Sequence, residues 1–123
     1  MLNRWGRHLL LNARQCKISL ISDPRNIELF SASMVKRIDM VAFGKPLIQY
    51  FGHDNKAGYT LVQLIETSNI VCHFCDESGD MYCDVFSCKA FDPYVARAVV
   101  QDYFKPDYID MKLVDRDANY KME

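Results

Sequence analysis

Two Asp-Pro pairs, Asp23-Pro24 and Asp92-Pro93, most constrain what this chain can fold into, because each sets an N-capping carboxylate before a residue preset for the first helical turn. After the first pair, Ile27, Phe30, Met34, Ile38 and Val41 recur at spacings of three and four, which predicts an amphipathic helix broken by Gly44 and Pro46. After the second, Val95, Val99 and Tyr103, with Ala96 and Val100 filling in, predict another that stops at Lys105-Pro106. The remaining segments read as strands. Arg7 to Gln15 alternates Leu9 and Leu11 against Leu10 and Asn12, a strand pattern, although its apolar run could equally start a helix. Leu47 to Gly52 and Tyr59 to Glu66 flank the polar connector HDNKAG, and Asn69 to Cys75 and Met81 to Ser87 flank ESGD, so each pair reads as a hairpin. Tyr108 to Val114 is a last strand, and the tail RDANYKME reads as frayed. Adjacent hairpins with separate helices imply an α+β fold: a two-layer sandwich of an antiparallel or mixed sheet covered on one face by two helices.

At 123 residues, half of them apolar, the chain suits a single domain spanning 1–123 with one core. A net charge of -1 gives no electrostatic reason to expect nucleic acid or an anionic membrane, so a small-molecule partner is expected. The opening MLNRWGRHLLLNARQ has charges on both sides of its apolar run and no small-residue cleavage site, and no stretch approaches the roughly 20 apolar residues that span a bilayer. A cytoplasmic protein is expected. Five cysteines, an odd number, then argue against a disulfide framework and leave buried, catalytic or metal-binding thiols.

Chemistry-bearing residues concentrate in ETSNIVCHFCDESGDMYCDVFSC, where Ser68, His73 and Cys88 supply a nucleophile, an imidazole and a thiol within two predicted strands. On residue types alone such a set is more often structural, since serines are common at strand starts and buried histidines often satisfy a core hydrogen bond. Its spacing, histidine five residues after serine and cysteine twenty after it, resembles the self-cleaving core of the bacterial and archaeal S-adenosylmethionine decarboxylases. GRHLLLNARQC is similar to that family's opening strand, with His8 and Cys16 eight apart, and DVFSC at 84–88 resembles its DVFTC. An Asp-Pro helix start follows at the usual remove, so the likeness covers the chain in outline.

The resemblance implies a proenzyme that cuts itself at Thr67-Ser68 into 1–67 and 68–123, with no external cofactor. Ser68 attacks the preceding carbonyl, the resulting ester is lost by elimination, and the dehydroalanine left behind hydrolyses to a pyruvoyl group. That ketone forms a Schiff base with the amine of S-adenosylmethionine and takes up electrons as carbon dioxide departs. His73 is implied in proton transfer during processing and Cys88 as the proton donor that quenches the carbanion. Glu77 corresponds to an acidic residue able to hold ribose hydroxyls, and Phe74 is offered as an adenine-stacking side chain. The product would feed spermidine synthesis. A small sheet covered on one face leaves the other to bury, so a homodimer is expected, with sites at or near the interface.

This chain also departs from the pattern. The family usually has glutamate directly before its cleaved serine, whereas Thr67 stands here with Glu66 one position back. Tryptophan and proline typically follow its histidine, whereas Phe74, Cys75 and Asp76 follow His73. Asn12 and Arg14 stand about where it often has a carboxylate. Other readings remain open: a pyruvoyl decarboxylase of ornithine or arginine, a ligand-binding homologue that does not cleave, and a metal module built from Cys72, His73, Cys75, Cys83 and Cys88. Against the metal, Cys72 and Cys75 have opposite parity on a strand and point to opposite faces, so no metal is expected.

Overall fold

The computed structural model describes residues 4–122, so residues 1–3 of the opening segment and Glu123 of the tail lie outside it. Strand β1 (Gly6–Arg14) is followed by a one-turn helix α1 (Ile18–Ile21) and the long helix α2 (Pro24–Arg37). Then come β2 (Leu47–Phe51), a 3₁₀ turn at Asp54–Lys56, β3 (Gly58–Ile65), β4 (Ser68–Cys75), β5 (Asp80–Ser87), α3 (Pro93–Phe104) and β6 (Tyr108–Arg116). The six strands form one antiparallel sheet in the order β2-β3-β4-β5-β1-β6, with β1 inserted between β5 and β6. The expected α+β sandwich is present, with α1 as an additional helix.

Both Asp-Pro pairs act as the sequence predicts. The Asp23 carboxylate accepts the Arg25 N–H at 3.0 Å and Asp92 accepts the Tyr94 N–H at 2.9 Å. The first helix ends earlier than the apolar spacing suggests, at Arg37. Asp39 adopts φ +62, and Val41 lies exposed on a segment that pairs with the end of β3 instead of extending the helix. There the Phe43 N–H donates to Leu64 O at 2.8 Å and the Glu66 N–H to Val41 O at 2.9 Å. The tail is more ordered than expected: Asp117 accepts the Trp5 N–H at 3.2 Å, and the Arg4 guanidinium lies 3.7 Å from the Tyr120 ring centroid.

Strand alternation sorts the two faces. Leu9, Leu11, Leu61, Ile70, Cys72, Phe74, Met81, Cys83 and Val85 are buried beneath Ile27, Phe30 and Met34 of α2 and Ala96, Val99 and Phe104 of α3. Phe104 is the hinge of an aromatic cluster, 4.7 Å from Phe30 and 5.0 Å from Phe74 between ring centroids. Among the described residues no helix covers the opposite face, and Leu10, Leu47, Leu64 and Tyr82 lie exposed on it.

Candidate active site

Glu66 and Thr67 form the two-residue turn between β3 and β4, which pair Ile65 with Ser68. Tight two-residue hairpins normally place positive φ on glycine or asparagine within the turn. Neither is present, and Ser68 itself takes φ +154. A conformation that costs a side-chain-bearing residue on the order of 1–3 kcal/mol persists only when its surroundings hold it. They do so from two sides. The Cys88 N–H donates to the Thr67 carbonyl at 3.0 Å, and Val41 O holds the Glu66 N–H. The Lys89 N–H donates to Ser87 Oγ at 2.9 Å, the Ser87 hydroxyl to Thr67 Oγ1 at 2.8 Å, and the Thr67 hydroxyl to the Met40 sulfur at 3.3 Å. Ser87 is fully buried and sits directly opposite Ser68.

Thus the carbonyl that precedes Ser68 already accepts one backbone donor, an arrangement able to stabilise a developing oxyanion. Cys88 follows directly on β5, its thiol exposed, and continues the alternation that puts Phe86 on the helix-free face. Ser68 and Cys88 therefore lie at the same end of the sheet.

His73 does not join them within the chain. It pairs with Thr60 on β3 and Tyr82 on β5, and Thr60 Oγ1 lies 3.1 Å from its Nδ1. Five residue steps along the strand separate it from Ser68, roughly 16 Å of extended chain. Its neighbours Cys72 and Phe74 are buried in the core, so the exposed imidazole projects from the helix-free face.

Within one chain, neither expected ligand residue lies beside Ser68. Phe74 is 2% exposed and packs on Phe104, so its ring is a core element closed to any ligand. Glu77 lies exposed in the β4–β5 turn, at the end of the sheet opposite Ser68. The aromatic surface near Ser68 is instead that of Phe86, opposite Asn69, with ring centroids 5.6 Å from Trp5 and 5.7 Å from His8. The Arg116 guanidinium lies 4.8 Å from its centroid. Trp5, Phe86, Arg116 and the chain from Asp117 to Met122 bound a cavity of about 680 Å³.

Three of the remaining cysteines, Cys16, Cys72 and Cys83, are buried in the core. Cys72 and Cys83 face each other across β4 and β5 inside the core, and burial, reinforced by the hydrogen bond with Cys83, pushes the Cys72 thiol well up. Burial and then the Asp80 charge push Cys16 up to about 12. Among the described residues no three of His, Cys, Asp and Glu converge as metal ligands.

Sequence reasoning missed Thr60, Met40 and the role of the Trp5–Phe86 pair. Thr60 was obtainable from hairpin arithmetic, since a turn at Glu66-Thr67 sets residue 60 opposite residue 73. Met40 carries no local signal, because it reaches the turn only through the end of α2.

A family model described as S-adenosylmethionine decarboxylase matches residues 7–117. The fold is similar to the crystal structure of the adenosylmethionine decarboxylase from Aquifex aeolicus VF5, with a TM-score of 0.78 and 24% identity, covering 94% of this chain and 93% of that one. No curated protein sequence matches this chain significantly. No helix among the described residues is long and apolar enough to cross a membrane.

Proposed function

The chain belongs to the S-adenosylmethionine decarboxylase family, and from that membership we propose that it is a proenzyme that cleaves itself at Thr67-Ser68 and then decarboxylates S-adenosylmethionine. The observation that carries this reading is the strained Ser68 beside a Thr67 carbonyl that accepts the Cys88 N–H. Ser68 Oγ adds to that carbonyl, the Cys88 N–H stabilises the oxyanion, and the peptide C–N bond gives way to an ester. Loss of the 1–67 carboxylate by elimination, followed by hydrolysis with release of ammonia, leaves a pyruvoyl group at residue 68. That group, when formed, supplies an electron sink for decarboxylation.

This chain's residues would do the rest. The thiol of Cys88, exposed one residue beyond the pairing partner of Ser68, would give a proton at the substrate carbon. The Trp5–Phe86 surface suits a planar adenine, which neither ornithine nor arginine carries.

A homodimer completes the site. His73 and Thr60 lie on the helix-free face roughly 16 Å from their own Ser68. Two such faces packed about 10 Å apart around a two-fold axis bring one protomer's His73 toward its partner's Ser68, and they bury Leu10, Leu47, Leu64 and Tyr82. The product would be the aminopropyl donor for spermidine synthesis in the cytoplasm.

The test is release of carbon dioxide from carboxyl-labelled S-adenosylmethionine, run beside ornithine and arginine. Release from S-adenosylmethionine alone, abolished when borohydride is added with substrate, is the expected result. Release from a basic amino acid instead would reassign the substrate. Binding without release from any of the three would mark a ligand-binding homologue.

A further inference from the structure

We propose that Ser87 is a positioning residue for self-cleavage, acting through the Thr67 side chain. This rests on the self-cleaving reading above and adds to it a residue with no assigned part. Ser87 is fully buried on the core side of β5, yet it carries a hydroxyl where its neighbours Cys83 and Val85 on the same face are purely packing residues. Its proton and one of its acceptor sites are both used at the turn. It accepts from Lys89 N–H at 2.9 Å and donates to Thr67 Oγ1 at 2.8 Å, and Thr67 passes the chain on to Met40 at 3.3 Å.

Consecutive residues of one strand end therefore grip one residue at two points. Ser87 holds the Thr67 side chain and Cys88 holds its carbonyl, so the peptide plane of Thr67-Ser68 has little freedom to rotate. The acyl shift needs that plane fixed: the Ser68 oxygen bonds to the Thr67 carbonyl carbon, the C–N bond breaks, and the serine proton passes to the departing nitrogen. The step is an isomerisation, so no co-reactant is needed. What it requires is approach geometry, and a misplacement of about 1 Å can cost on the order of a hundredfold. The clamp also accounts for Thr67 itself. With a hydroxyl rather than a longer acid before Ser68, the side chain can lie half-buried between Ser87 and Met40 without bringing a charge against the core.

The experiment follows self-cleavage by intact mass in wild type, Ser87→Ala, Thr67→Val, the double variant and Ser87→Thr, with thermal unfolding of each and hydroxylamine treatment to cut any ester formed. Ser87→Ala and Thr67→Val should each slow cleavage about tenfold or more and lower the hydroxylamine-cleavable fraction, while the double variant is no slower than the slower single. Ser87→Thr, which keeps the hydroxyl, should restore most of the rate. A wild-type rate in Ser87→Ala, or single effects that multiply in the double variant, would overturn the proposal. If Ser87→Ala does not fold, Thr67→Val decides alone, since it removes the same bond from the turn side. A wild type that never cleaves overturns the self-cleaving reading and this proposal with it, whereas cleavage in wild type and Ser87→Ala alike removes only the clamp.

Discussion

His73 and Thr60 stand opposite one another on β4 and β3, the imidazole Nδ1 3.1 Å from the hydroxyl oxygen, on the face of the sheet that carries no helix. The pair lies roughly 16 Å along the strand from its own chain's Ser68. In the proposed two-fold assembly the histidine acting on Ser68 comes from the partner chain. Chains carrying His73→Ala should therefore remain uncleaved alone, slowed by roughly 10²–10⁴. Mixed with Ser68→Ala chains, which cannot cleave but retain His73, they should be cut. Intact mass separates the two chains, and efficient cleavage of His73→Ala on its own would show that the imidazole acts elsewhere or not at all.

The same assembly predicts that charge on the helix-free face blocks processing from a distance. Leu64→Lys places an ammonium where Leu64 is 49% exposed in the lone chain and buried in the proposed dimer. Light scattering should then report about the single-chain mass of 14.3 kDa, and cleavage should fall with it. A monomeric variant that cleaves at the wild-type rate would separate assembly from processing.

Phe74 and Phe86 make a direct comparison between core and ligand surface. Phe74→Ala should cost about 3–5 kcal/mol of stability, measured by denaturant unfolding, because it empties a site packed against Phe104. Phe86→Ala, on the half-buried face beside Trp5, should raise KM with a much smaller loss of stability. The reverse pattern would restore Phe74 as the stacking residue.

The thiols should divide sharply. Cys88 is exposed and should take an alkylating reagent in the native protein, whereas Cys16, Cys72 and Cys83 should react only on unfolding. Burial raises the Cys16 thiol from 9.0 to about 12, so the folded chain keeps a proton that the unfolded chain gives up near pH 9. The stabilisation is whole below that pH and is lost as pH rises from about 9 to about 12. Cys72, shifted the same way, adds to the loss. The urea midpoint should accordingly fall through this window, and Cys16→Ala should flatten part of the decline.

Much of the fold was legible because its signals are local. Asp23-Pro24 and Asp92-Pro93 fix two helix starts through their own side chains, and alternation located the strands to within about two residues, as at β6, which runs to Arg116. The end of α2 was not legible, because Val41 keeps the helical spacing while its backbone pairs with β3. The parity argument that separates Cys72 from Cys75 holds, Cys72 lying in the core and Cys75 outside it. Applied one residue further it also places Phe74 in the core, against the stacking role offered for it. Strand order cannot be read from parity, since inserting β1 between β5 and β6 brings Trp5 beside Phe86 from the far end of the chain. Sequence proximity likewise grouped Ser68 with His73, whereas an extended strand holds them apart.

The central claim is a single covalent event at Thr67-Ser68. Freshly purified wild-type protein and Ser68→Ala should be compared by intact mass under the same conditions. The account predicts two fragments from wild type, 1–67 and 68–123, the second lighter than its encoded mass by the loss of ammonia at a pyruvoyl terminus, and one intact chain from the variant. A wild-type chain that stays whole through prolonged incubation would contradict it.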